Sequence, residues 1–326
     1  MIKLVATYSK LLCLFLFLSN GTAFSQKYSE IDQRVKSYPK SFSSVKKFAE
    51  KINADFNTDE AKARAIFTWI ALNTRYDLKA SQSGAMITYR YTSDDDQLRQ
   101  VQKIRENFAE KTLRTGKGVC QDYSSLFHVV SELAGLKCID IVGTSKAQPS
   151  HIGKLPHVGD HEWNAVKIAN QWKLIDVTWA SGSVSAETGK FVPEFNDAYF
   201  FTAPEVFFLN HFPDDKRFLM TDKSAADFAE LPLYYGPYIK SDYEIAAPEK
   251  GVISGSKATS ISFRIIDFPI SSKISYAFTS EGRGYNLQVR KNGNISEFEI
   301  PLNARSRGFL TVFADNNAIA TYKIIR

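Results

Sequence analysis

The chain has 326 residues, enough for about two domains at ~100–200 residues each. Hydrophobic residues make up 44% and charged residues 23%, proportions that exclude a disordered chain, a collagen and a coiled coil. The formal net charge of +6 is mild for this length, and with no Lys/Arg block nucleic acid is a poor choice of partner.

Lys3 and Lys10 form a basic start, Leu11 to Leu18 reads LLCLFLFL, and Ala23-Phe24-Ser25 places small residues at −3 and −1 of a cleavage site. This is the grammar of a secretory signal peptide over residues 1–25. The apolar run is too short to span a bilayer, which takes ~20 residues. Cys13 lacks the small residues that precede a lipoprotein cysteine. The expected product is an unlipidated chain beginning at Gln26, exported to the periplasm or beyond, without a transmembrane segment. It retains Cys120 and Cys138. Either these pair, or one of them performs chemistry.

Residues 28–80 read as helices. Thr58 before Asp59-Glu60 is an N-cap with acids in the first turn, and Ala63, Ile66, Phe67, Ile70 and Ala71 follow at helical spacing. Residues 81–115 are polar and read as a surface excursion, with Asp94 to Asp96 at a helix start. Gly116-Lys117-Gly118 lacks the earlier Gly and the following Ser/Thr of a phosphate loop. Tyr123, Leu126, Phe127, Val130 and Leu133 then mark an amphipathic helix that begins at Cys120 and ends at Gly135. Cys138 to Val142 reads as a buried strand, and residues 144–160 as a Pro/Gly/His loop. Residues 161–168 and 171–179 read as two strands around Ala169-Asn170. Past residue 242 the helical periods vanish. Six short β-rich runs between Ser260 and Ile325 are separated by turn signals, the pattern of a β-sandwich. The expected domains are therefore 26–242 and 243–326.

Cys120 falls in the first turn of its helix, where the positive helix end favours the thiolate. On the later strands, a two-residue turn at Ala169-Asn170, the favoured hairpin length, would set Ile168 opposite Gln171, so that paired positions sum to 339; a three-residue turn would break this parity. Trp163 then faces Asp176, and His161 and Asp176 become diagonal neighbours on one face, within reach of a hydrogen bond. A cysteine at a helix start, a histidine at a strand start and an acid orienting that histidine make a thiol triad. An oxyanion hole would use the Cys120 N–H together with a side chain such as Gln121, Gln97 or Tyr91. Trp163 and Trp179 could bind substrate but read as core, with Trp163 beside His161 as a candidate rim. His151, His157 and His161 with Asp160 match no zinc-motif spacing, so no metal and no cofactor is expected. His128 and His211 read as structural.

Gly118-Val119-Cys120-Gln121-Asp122-Tyr123, His161-Glu162-Trp163-Asn164 and Trp172 to Trp179 together resemble the transglutaminase-like superfamily. Phe67-Thr68-Trp69-Ile70 with Arg75-Tyr76-Asp77 is similar to the helix before its core. Tyr199-Phe200-Phe201, Pro204-Glu205 and His211-Phe212-Pro213 are similar to an extension in its kyphoscoliosis-peptidase branch. The resemblance covers about residues 45 to 220. It implies an α+β fold with a papain-like core, here followed by an immunoglobulin-like all-β sandwich. It also implies Cys120 as nucleophile, His161 as base and Asp176 as orienting acid. The expected activity is that of a cysteine peptidase or amidase on a protein or peptide substrate, the cell envelope being one candidate source. Hydrolysis is favoured over crosslinking because no feature of the sequence suggests exclusion of water. A non-catalytic scaffold of the same fold is the rival.

Overall fold

The computed structural model describes residues 20–83, 94–185, 187–254 and 258–325. The signal pattern up to residue 19, and Tyr91, lie outside the described residues, as does the side chain of Gln97.

Helices Asn20–Lys36, Val45–Asp55 and Asp59–Asn73 open the chain. Thr58 caps the third by accepting from the Ala61 N–H, as its sequence predicts. Arg64, buried in that helix, clasps the Asp32 carboxylate with Nε at 2.9 Å and Nη2 at 2.6 Å, fixing the first helix to the third. The polar stretch read as a surface excursion is more than that. Helix Asp94–Thr115 buries Ala109, Thr112 and Leu113, so a charged helix still contributes one narrow stripe to the core.

Helix Cys120–Leu133 crosses an antiparallel sheet of five strands in the order Phe200–Thr202, Gln171–Ile175, His161–Ile168, Lys137–Ser145, His211–Pro213. The pairing of His161–Ile168 with Gln171–Ile175 has the expected register, with Ile168 opposite Gln171 and Asn164 opposite Ile175. Ala169 and Asn170 both adopt left-handed backbone, φ 46° and 66°, the conformation a two-residue hairpin turn requires. One expectation is corrected here. The second strand stops at Ile175, and Asp176 caps a short helix, Val177–Ala180, by accepting from the Trp179 N–H at 2.9 Å. Acidic residues are strong N-caps, and this preference ends the strand where alternation alone would have continued it.

The C-terminal part consists of sheets that are antiparallel except at one strand. A four-stranded sheet contains Ser260–Ile266 and Ile295–Pro301. A six-stranded one contains Ile274–Phe278, Gly308–Ala314 and Asn317–Ile325; its strand Val252–Ser254 pairs parallel to Asn317–Ile325. Ile261, Phe263 and Ile265 alternate inward from the first sheet, and Leu310, Val312, Ala320 and Tyr322 face them from the second. Phe263 stacks on Phe298 at 5.0 Å and meets the Tyr322 edge at 5.3 Å. Leu233–Tyr234, ahead of the composition change at 243, pair with the last strand. One continuous buried cluster includes Phe48, Trp69 and Tyr123 of the helical part and Phe263, Leu310 and Tyr322 of the sheets.

Ala169 holds a left-handed conformation that costs an L-residue with a Cβ ~1–2 kcal/mol. Ala169→Gly should therefore raise the urea midpoint, corresponding to about 0.5–1 kcal/mol; an unchanged or lower midpoint would show that the turn is not strained.

Candidate active site

The loop before Cys120 is held by its own helix. Val119 stands at the N-cap but has no acceptor atom, so Asp122, three residues on, reaches back and accepts the Val119 N–H on Oδ2 at 2.8 Å. Its other oxygen accepts from Lys111 Nζ at 3.2 Å. Gly118 leaves room for that carboxylate: a Cβ there would stand 2.3 Å from the Cβ of Asp122. The parallel pairing of Tyr76 with Gly118 closes the loop from the other side and brings the Tyr76 phenol near the charges of Cys120 and Asp176. Cys120 is thereby set as the first residue of a 14-residue helix. Its backbone N–H, in the first turn, has no partner within the helix.

The same helix is locked to the sheet by a second acid. Asp140, on strand Lys137–Ser145, accepts from Arg105 Nε at 2.7 Å, from His128 Nδ1 at 2.7 Å, from Asn164 Nδ2 at 2.9 Å and from Ser124 Oγ at 3.3 Å. Ser124 and His128 lie one turn apart on the Cys120 helix, so this carboxylate fixes both its rotation and its height above the His161 strand. His128 is structural, as read. Asp140 was not singled out from the sequence, because its partners come from three separate elements.

Cys120 is half-buried and a free thiol, while Cys138 is buried and also free. Burial pushes the Cys138 thiol well up, which makes it the inert cysteine of the two. His161 Nε2 lies 2.7 Å from Asp176 Oδ2 in a buried contact. A carboxylate only accepts, so Nε2 carries the proton and Nδ1 is left for another partner; the Cys120 thiol is close enough to raise the imidazole's pKa. Asp176 has no solvent exposure. Burial alone would lower the His161 pKa, but the Asp176 charge and hydrogen bond, with the Cys120 contact, outweigh it and raise it to about 10. Burial opposes ionisation of Asp176 as well, yet His161 and His211 hold its carboxyl well below the usual carboxylate range. The site thus favours an imidazolium beside a sulfur and over a carboxylate.

The sequence reading missed one group here. His211 Nε2 also reaches Asp176 Oδ2, at 2.9 Å. Its strand, His211–Pro213, comes after two short helices, a 3-10 turn and three strands beyond Asp176, and no spacing in the chain announces the contact. The only signal was His211-Phe212-Pro213 itself. His161, Asp176 and His211 bring ligand-type atoms close together. Their N···O separations of 2.7 and 2.9 Å are those of charge-assisted hydrogen bonds. Ligands around a tetrahedral zinc would stand about 3.3 Å apart.

Of the other candidates, Gln121 is half-buried next to Cys120. Trp163 takes the core position read for it, 2% exposed with its ring against Phe207, His211 and His161. His151 bonds Ser145 O and His157 bonds Val158 O, each through Nδ1, so both are tied to their own loop.

Residues 46–177 match the family model of the transglutaminase-like superfamily, and this part of the chain is a transglutaminase-like domain. Among curated proteins, kyphoscoliosis peptidase of Mus musculus and of Homo sapiens are each 30% identical to the chain over 270 residues, covering 80% of it and 37% of the relative. Hillarin of Drosophila melanogaster is 26% identical over 216 residues, 60% of this chain and 23% of that protein. The chain therefore spans little more than a third of the length of its kyphoscoliosis peptidase relatives. A solved structure described as a TGase aligns with 58% of this chain and 40% of its own at 14% identity, with a TM-score of 0.29.

The pKa shifts fix a pH dependence. His161 is raised above its unfolded value of about 6.5, so its contribution to stability is complete below that pH and is lost as the pH climbs toward 10. Asp176 is depressed, so its contribution is present above about pH 4 and is lost in acid. Thermal midpoints across pH 3–10 should show wild type minus Asp176→Asn largest at about pH 4–6.5, narrowing on both sides. A difference independent of pH would contradict the ion pair. Separately, Asp122→Ala should cost about 1–3 kcal/mol in urea denaturation, because it strands the Val119 N–H; a cost near zero would remove Asp122 from the loop's support.

Proposed function

We propose that this chain is an exported thiol hydrolase that cleaves peptide or amide bonds through an acyl-enzyme. The observation that carries the reading is the buried His161–Asp176 contact at 2.7 Å with the Cys120 thiol beside the same imidazole. In this mechanism the Cys120 Sγ, having lost its proton to His161, attacks the substrate carbonyl carbon. The oxygen gathers negative charge at the Cys120 N–H, with Gln121 the nearest candidate for a second donor. The C–N bond breaks as His161 returns its proton to the leaving amine, and a thioester remains on Cys120. Water, deprotonated by His161, then attacks the thioester and restores the thiol. A lysine amine in place of water would crosslink two proteins; the half-open setting of Cys120 favours the smaller nucleophile. The names of the kyphoscoliosis peptidases support a peptidase reading by analogy. Export rests on the Lys3, Lys10 and Leu11 to Leu18 pattern, and a protein of the cell envelope is the proposed substrate source.

Alkylation of Cys120 by iodoacetamide tests the site without a known substrate. A His-paired thiolate reacts at acidic to neutral pH, whereas an ordinary thiol needs pH above ~8. Wild type should react down to about pH 5, and His161→Ala should lose that reactivity. Cys120→Ala should abolish turnover of any peptide substrate found, by ~10³-fold or more, with an unchanged thermal midpoint. An ordinary thiol profile in the wild type would move the assignment to a non-catalytic scaffold.

A further inference from the structure

His211 is a polar residue in an apolar box. Phe207 stacks on its ring at 4.0 Å and 22°, Trp179 lies 4.7 Å away, and Trp163 presents itself at 5.1 Å. The side chain is wholly buried. A phenylalanine would fill such a slot with better solvation energy, so the histidine must be there for its nitrogen. That nitrogen meets the same carboxylate oxygen as His161, while the second oxygen of Asp176 takes the Trp179 N–H.

We propose that His211 is a positioning residue for the thiol site: a permanently neutral imidazole that fixes Asp176 and draws off part of its charge, so that His161 stays aligned with Cys120 yet can release its proton. This rests on the thiol-hydrolase reading. The argument is one of geometry. His211 Nε2 is taken by Asp176, while its Nδ1 is buried with no hydrogen-bond partner, so a second proton there would strand a buried donor 5.4 Å from the His161 ring. Burial, the largest influence on His211, pushes its pKa down, and the neighbouring His161 charge adds to this, against the opposing pull of the Asp176 contact and the nearby Phe207 carbonyl. His161 alone also touches the thiol. A neutral His211 with its proton on Nε2 donates to Asp176 in every protonation state of the cycle. Without it, the full Asp176 charge would bear on His161 and hold its proton too tightly for transfer to a leaving amine.

The other ionisable groups around the pair are Cys120, Glu162 and the phenols of Tyr76, Tyr123 and Tyr199. Burial raises all three phenols, which stay protonated near neutrality. Glu162, next to His161, is pushed up to about 8 by burial and the Asp140 charge. The test is therefore made in a Glu162→Gln background, which removes that titration.

The experiment is the pH profile of Cys120 alkylation by iodoacetamide in the full chain with native His211, His211→Phe and His211→Gln. Phenylalanine keeps the stacking and deletes the donor; the glutamine amide restores an N–H near the place of Nε2. The alkaline step, where the His161 imidazolium loses its proton, should move up by about one pH unit in His211→Phe, a tenfold change in that equilibrium. It should return to the native position in His211→Gln. Superimposable profiles, or equal displacement in both variants, would overturn the proposal. Nitrogen-15 imidazole spectra of the wild type give a second measurement that needs no variant to fold. They should show one neutral histidine with its proton on Nε2 from pH 5 to 9 beside one that titrates near pH 10. An imidazolium His211, or a proton on its Nδ1, would overturn the proposal as well. A wild-type profile of an ordinary thiol would instead defeat the thiol-hydrolase reading, while the spectra still report the state of His211.

Discussion

The buried charge of Asp176 is the constraint around which the site is arranged. A carboxylate without solvent exposure is strongly unfavourable unless its lone pairs are filled. Filling them draws on three places in the chain: the Trp179 N–H of the helix it caps, His161 on the adjacent strand and His211 at the far edge of the sheet. Each donor is held by the packing of its own element. The carboxylate therefore acts as a common reference point that sets the short helix, the central strand and the edge strand relative to each other. The geometry of the site is a consequence of satisfying that one group.

A second, half-buried acid does the corresponding work for Cys120. Asp140 gathers donors from the Asp94–Thr115 helix, the Cys120 helix and the His161 strand. The side chains of Glu162 and Asn164 alternate with His161 and Trp163 along that strand, so one strand carries the base on one face and the helix anchor on the other. Cys120 is thus placed by Asp122 locally and by Asp140 globally, and His161 by Asp176. Three carboxylates position Cys120 and His161. Rigid support of this kind holds the two side chains in place without needing a ligand to assemble them.

The C-terminal sheets touch this arrangement indirectly. Lys146, buried just beyond the Asp140 strand, donates to the Phe228 and Leu231 carbonyls at 2.6 and 3.0 Å, at the end of helix Ala225–Glu230. The chain then enters the last sheet through Leu233–Tyr234. The link is one of packing and backbone satisfaction, and it explains why a lysine with no carboxylate partner in this contact is tolerated in the interior.

Much of this was fixed by local sequence. The start of the Cys120 helix follows from Gly118, Asp122 and apolar residues at a period of 3.6; the hairpin register follows from the two-residue turn at Ala169-Asn170, and with Asp176 capping the next helix it brings Asp176 to His161. The alternating sandwich strands were legible for the same reason, since a period of two reports burial directly. What tertiary structure decided were contacts between residues far apart in the chain. His211 joining Asp176 across 35 positions and Asp140 collecting four donors have no local signature. Local sequence determines backbone conformation and which side chains share a face. Which face of one element meets another depends on how the whole core packs, and only there does a histidine that reads as structural become a partner of the acid at the centre of the site.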